Sequence, residues 1–157
     1  MCALRALAQR RLSESQLWRC LERRGFSDED IRCTVAVCKT EGYIDDRLFA
    51  SLYVEQKHKA VGDVKLLAEL VKRGIDREAA FEAIQRSHAT QEERCDRALK
   101  RVLRTKDSFN YPAAARTLER LGFPSSLIYR TLREHSQKHG PFASLMSESA
   151  DRSPTFR

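Results

Sequence analysis

The sequence predicts an all-α protein of three tandem three-helix modules, nine helices forming an elongated, curved repeat rod. Three observations carry this expectation. The segments Leu21-Glu22-Arg23-Arg24-Gly25-Phe26, Leu70-Val71-Lys72-Arg73-Gly74-Ile75 and Leu118-Glu119-Arg120-Leu121-Gly122-Phe123 repeat, with glycines separated by 49 and 48 residues. The similarity runs in both directions: Leu17, Leu66 and Ala114 precede the glycines by eight residues, and Val35, Ile84 and Leu132 follow them by ten. No β-branched alternation of useful length appears, and 6 Gly and 4 Pro are too few for a loop-rich sandwich.

Helix termination explains the register. A glycine just past a helix end adopts positive φ without a Cβ penalty, and in a Schellman ending the next residue packs on the one four before the glycine. The pairs are Phe26 on Leu21, Ile75 on Leu70 and Phe123 on Leu118. A new helix follows at once. The apolar residues six and ten after each glycine, Ile31 and Val35 in the first copy, share one face of it.

Module 1, residues 1–44, opens with a helix whose apolar stripe is Leu4, Leu7 and Ala8. Ser13-Glu14-Ser15-Gln16 is a capping box for the second helix. Gly25 ends that helix, and Ser27, with Asp30 three residues on, caps the third. Module 2, residues 45–88, starts at Asp45 or Asp46 with a helix carrying Phe49, Ala50, Leu52 and Tyr53, extended towards Val61. Gly62-Asp63 breaks and recaps the chain, Gly74 ends the next helix, and Asp76 caps the last. Module 3, residues 89–136, has Cys95, Ala98, Leu99, Val102 and Leu103 on one helical face. Asn110-Tyr111-Pro112 opens its second helix, with proline at a tolerated position, and Pro124-Ser125 opens its third after Gly122. Residues 137–157, rich in Ser and with two prolines, are expected to be a disordered tail. The period of about 48 matches neither tetratricopeptide nor ankyrin repeats, and stacked modules offer long surfaces for large partners.

Composition narrows the partner. Of 157 residues, 29 are Lys or Arg and 22 are acidic, a net charge of +7 that points to an anionic partner: nucleic acid, an acidic protein surface or a membrane face. No stretch approaches the ~20 apolar residues of a membrane span, and the N-terminus does not read as a signal peptide. A cytoplasmic protein is expected. The five cysteines, Cys2, Cys20, Cys33, Cys38 and Cys95, include no C-x-x-C pair and read as reduced packing residues. His135 and His139 have a spacing that could hold a metal on a helix, but no third ligand is near, so no metal is expected.

Nothing reads as catalytic: no phosphate-binding glycine loop, nucleophile elbow or H-E-x-x-H is present. No catalytic residue and no cofactor site is assigned. Asp45 and Asp46 are candidates either for helix capping or for contact with a basic partner surface. Arg94, Arg97, Arg101 and Arg104 recur at helical spacing, with Lys100 at the margin, as an exposed stripe opposite Cys95, Ala98, Leu99 and Val102. A second basic cluster is Lys57, His58 and Lys59 with Lys65; a third runs through Arg5, Arg10, Arg11, Arg19, Arg23 and Arg24. None is interleaved with aromatics, so backbone or protein-surface contact is favoured over base readout.

Gly42-Tyr43-Ile44-Asp45-Asp46-Arg47-Leu48-Phe49-Ala50 resembles the signature of the RecX family, bacterial regulators of the RecA recombinase. Residues Gly62 to Ile75 are similar to its G-x-x-[RK]-[IL]-x-x-E-L-x-x-[KR]-G-[IV] segment. The resemblance covers roughly residues 3–135. It departs from the family at Leu48, where an arginine is usual. It implies a clasp lying in the groove of the RecA–DNA filament, limiting its growth, ATP hydrolysis, strand exchange and coprotease activity. On that reading the chain is no enzyme, is a monomer, and takes the RecA filament and DNA as partners. The alternative is a stand-alone basic helical DNA-binding protein.

Overall fold

The structure, a computed structural model, describes residues 2–57, 60–104 and 110–139. These residues contain nine helices and no strand. They are α1 (Cys2–Gln9), α2 (Glu14–Glu22), α3 (Asp28–Thr40), α4 (Asp46–Lys57), α5 (Asp63–Lys72), α6 (Arg77–Gln85), α7 (Gln91–Arg104), α8 (Tyr111–Arg120) and α9 (Ser125–His139). α9 extends three residues past the expected start of the tail; the rest of that segment lies outside the described residues.

Helices pack chiefly within their own triplet, and the buried apolar residues fall into three separate clusters. The first joins Leu17, Leu21, Ile31, Val35 and Ile44. The second joins Ala50, Val54, Leu66, Leu70, Ile75 and Ile84. The third joins Cys95, Leu99, Leu118, Phe123, Ile128 and Leu132. Residues at the repeated positions occupy the same place in each core because each triplet closes on the same two helical faces.

The repeated glycines end α2, α5 and α8 with φ of 82°, 86° and 85°. The residue after each donates its N–H to the carbonyl of Leu21, Leu70 and Leu118, at 3.5, 3.1 and 3.3 Å, the Schellman pattern. The paired contact is uneven: Ile75 and Phe123 are buried, whereas Phe26 is 42% exposed. α1 also departs from expectation. Ala3 and Ala6 are buried while Leu4 is exposed, so small residues face the core and let the eight-residue helix approach closely.

Local capping follows the sequence. Ser13 and Gln16 form the capping box of α2; Ser27, Asp76 and Asn110 cap α3, α6 and α8. Asp45 caps α4, its Oδ1 accepting from Leu48 N at 2.9 Å. A second capping box, which the sequence carries as T-x-x-E, joins Thr90 and Glu93 before α7. α3 ends by the same glycine device at Gly42, φ 73°.

Candidate functional site

Successive modules meet end to end through one recurring joint: the N-terminus of a middle helix docks on the glycine ending of the next module's middle helix. Between modules 1 and 2, Ser13 Oγ donates to the Arg73 carbonyl at 2.6 Å. Between modules 2 and 3, Gly62 N donates to the Leu121 carbonyl at 2.8 Å. Ser13 and Gly62 are the cap residues of α2 and α5, and Arg73 and Leu121 each precede the repeat glycine. A cap residue's hydroxyl or N–H thus meets a carbonyl that the end of the next module's helix otherwise leaves bare. The fit leaves no space for side chains. A Cβ on Gly74 would overlap Ser15, one on Gly62 would overlap the Gly122 carbonyl, and one on Gly122 would lie 2.7 Å from Lys65 N.

Three of the candidate residues belong to these joints. Asp46, in the first turn of α4, accepts from Glu14 N at 2.9 Å and so caps the neighbouring module's helix. Burial holds its carboxyl above the ordinary value, against the opposing pull of that hydrogen bond. Glu14 in turn pairs with Lys39 at 2.7 Å. Both aspartates thus cap helices, Asp45 that of its own module and Asp46 that of the preceding one. Lys65 stands over the end of α8, its Nζ 3.4 Å from the Arg120 carbonyl.

Arg94 corrects the exposed arginine stripe. It is 2% exposed, bonds Asp63 in an ion pair and donates to the Val61 carbonyl at 3.1 Å. Gln91 Nε2 donates to the other Asp63 oxygen at 3.0 Å. The repeat held the signal, since Arg94 and Asp46 lie 48 residues apart and each stands sixteen before the cap of its own middle helix. Both positions therefore reach the first residue of the preceding module's middle helix, Glu14 or Asp63. Helical phase on one helix alone could not reveal that neighbour.

What remains exposed of the basic stripe on α7 is Arg97, Lys100, Arg101 and Arg104. Arg97 leans on Glu93 at 3.6 Å and Lys100 on Asp96 at 2.6 Å. Arg101 and Arg104, in the last turn, have no ion pair among the described residues. Of the Lys57 and Lys59 cluster, Lys57 ends α4 with its side chain outside the described residues, and Lys59 lies outside them altogether.

A groove of about 500 Å³ runs between α7 and α9, lined among others by Glu92, Asp96, Lys100, Arg130 and Glu134. Arg130 pairs with Glu92 at 3.1 Å, and a backbone hydrogen bond at the helix start, helped by that contact, holds the Glu92 carboxyl below its ordinary value. Arg130 and Glu92 pair across the groove and Lys100 pairs with Asp96 along α7, so its charges are of both signs and do not converge on one point. No group of three or more His, Cys, Asp or Glu is placed to hold a metal among the described residues. Cys38 and Cys95 are buried, which raises both thiols and disfavours the reactive thiolate. No helix of the described residues is long and apolar enough to cross a membrane.

Tandem three-helix modules, locked end to end, define an all-α modular repeat protein. The comparisons agree and are more specific. The family model described as "RecX, second three-helix domain" matches residues 45–84. A regulatory protein RecX of Thermobifida fusca is 31% identical over 144 residues, covering 87% of this chain and 78% of its own. One from Thermus thermophilus is 32% identical over 131 residues, covering 83% and 87%, and one from Amycolatopsis mediterranei 29% over 150, covering 91% and 86%. The crystal structure of RecX from Lactobacillus salivarius superposes with a TM-score of 0.70 at 20% identity, covering 84% of this chain and 90% of that one, and so shares the fold. The chain belongs to the RecX family of regulatory proteins, which is not a family of enzymes.

Proposed function

We propose that this chain binds the RecA recombinase–DNA filament along its groove and restrains its growth, ATP hydrolysis, strand exchange and coprotease activity. It does so as a cytoplasmic monomer without catalysis, cofactor or metal. Family membership supports a regulatory role, and the observation that carries the binding mode is the pair of close joints. With Gly62, Gly74 and Gly122 packed against neighbouring backbone or Cβ atoms, the three modules are held in a fixed series. A series so held can follow a long repeating surface without losing inter-module freedom on binding. Arg101 and Arg104, with Arg97 and Lys100 beside them, are the proposed anion contacts, to phosphate or to carboxylates of the recombinase.

The test is DNA-dependent ATP hydrolysis by the recombinase, with this protein at ratios far too low to coat the DNA. Inhibition at such ratios is expected. Inhibition only at coating ratios would assign the chain to the class of stand-alone DNA-binding proteins. The double variant Arg101→Glu/Arg104→Glu should weaken filament binding while the helix content stays unchanged. If the contacts are to phosphate, the salt slope falls by ~0.7–0.9 for each one lost. If they are to carboxylates, charge reversal on the recombinase rescues the variant.

A further inference from the structure

The three middle helices offer an internal control for one surface. At equivalent positions of the repeat, α2 carries Ser15, Arg19 and Glu22, and α8 carries Pro112, Arg116 and Glu119. On α5 the same positions are Val64, Ala68 and Val71. Their spacing puts them on one helical stripe. Val64 is 66% exposed, Val71 46%, and Ala68 is exposed as well. None belongs to the second core cluster or packs against it. Two modules therefore put charged residues on this face, whereas the central one leaves it wholly apolar.

We propose that the outer face of α5 is a protein-docking surface, and that its occupant is a recombinase surface presenting an apolar ridge with a carboxylate beside it. The stripe has no donor for phosphate, so it suits a protein rather than nucleic acid. Its chemistry at one edge selects the partner's sign. Lys65 and Lys72 flank the stripe on the same side, and Lys72 is exposed with no ion pair among the described residues. A second copy of this chain fits less well, because antiparallel pairing of the stripe with itself brings the two lysine edges together. Three small side chains fall far short of the ~1,000 Å² of a stable interface. The stripe is thus the apolar anchor of a longer contact, and the inference rests on the proposed filament binding.

The experiment gives α5 the face of α2. The variant Val64→Ser/Ala68→Arg/Val71→Glu places on module 2 residues that module 1 already carries at the same register, and the single variant Val71→Glu accompanies it. Circular dichroism and thermal melting check the fold, and binding is measured separately to DNA alone and to the recombinase–DNA filament. Affinity for the filament should fall about tenfold or more, as for loss of an interface anchor, with affinity for DNA alone unchanged. A folded variant that binds the filament as wild type does overturns the inference and leaves the filament reading standing. Wild-type protein that binds no filament overturns both. Should both variants fail to fold, carbene footprinting of the wild-type protein decides. Protection of Val64–Val71 in the filament complex supports the docking face, and full labelling there overturns it.

Discussion

The two joints use the same docking with different chemistry. Between modules 1 and 2, a serine hydroxyl reaches the Arg73 carbonyl, and Asp46 accepts a backbone N–H of α2. Between modules 2 and 3, a glycine N–H reaches the Leu121 carbonyl, and Arg94 meets the Asp63 carboxylate. The first joint buries one acid against a helix N-terminus. The second buries a guanidinium whose fork is shared between a carboxylate and a carbonyl. Removing one partner of such an arrangement strands the others, so the second joint should be the more sensitive to substitution. Gly25 extends the comparison. It has the same positive φ as Gly74 and Gly122, yet nothing lies within 4 Å of where its Cβ would stand.

The largest expected effect is at Gly122. Gly122→Ala combines left-handed strain of ~1–2 kcal/mol with displacement of the Lys65 backbone, which should add ~1–3 kcal/mol. Gly74→Ala should fall slightly below it, since it meets Ser15 Cβ rather than main chain, and Gly25→Ala should show the strain alone. Urea denaturation of the three variants measures this order; equal losses would mean that the joints are not close-packed.

Next comes Arg94. Arg94→Met should destabilise by ~3 kcal/mol, the lower end of the range for breaking a buried pair, because Asp63 is 34% exposed. Arg94→Lys should recover only part of the loss, since a single ammonium cannot reproduce the fork. Asp63→Asn/Arg94→Met measured beside the single changes gives the coupling directly.

Asp46 should matter less. Asp46→Asn keeps an acceptor for Glu14 N and removes a half-buried charge, so its effect near neutral pH should stay within ~0.5 kcal/mol. The sign of the pH dependence is the sharper measurement. Because burial raises the native carboxyl pKa above its ordinary 3.8, the folded state binds the proton more readily than the unfolded one. The wild-type protein should therefore gain stability relative to Asp46→Asn as pH falls through the raised value towards 3.8, and lose that gain as pH rises back through it. A difference that stays flat, or runs the other way, would show that the hydrogen bond from Glu14 outweighs burial at this joint.

The smallest change in stability belongs to the surface. Arg101→Glu/Arg104→Glu should alter folding stability by no more than ~0.5 kcal/mol. A larger loss would mean that these arginines serve the fold, as Arg94 does.

Much of the fold was legible because its punctuation is local. The ends of α2, α5 and α8 are set by hydrogen bonds spanning five residues or fewer, and Ser13, Ser27, Asp76 and Asn110 cap helices within three. The candidate site was legible only in part. Arg97, Lys100, Arg101 and Arg104 are exposed as their helical phase requires, while Arg94, on the same stripe by phase, turns inward to Asp63 and Val61. Asp45 and Asp46 are adjacent, yet they cap helices of different modules.

By itself the sequence determined the helices, their ends and the threefold repeat, since each depends on residues within about one helical turn and on a pattern written three times. Only the tertiary structure decided the joints. Ser13 reaches Arg73 across 60 positions, Glu14 reaches Asp46 across 32 and Arg94 reaches Asp63 across 31. Such contacts arise when packed modules bring helix ends together, and no local propensity encodes which distant carbonyl or carboxylate will stand there. The same dependence on assembly half-buries Asp46 and buries Arg94 while leaving Val64 and Val71 in solvent.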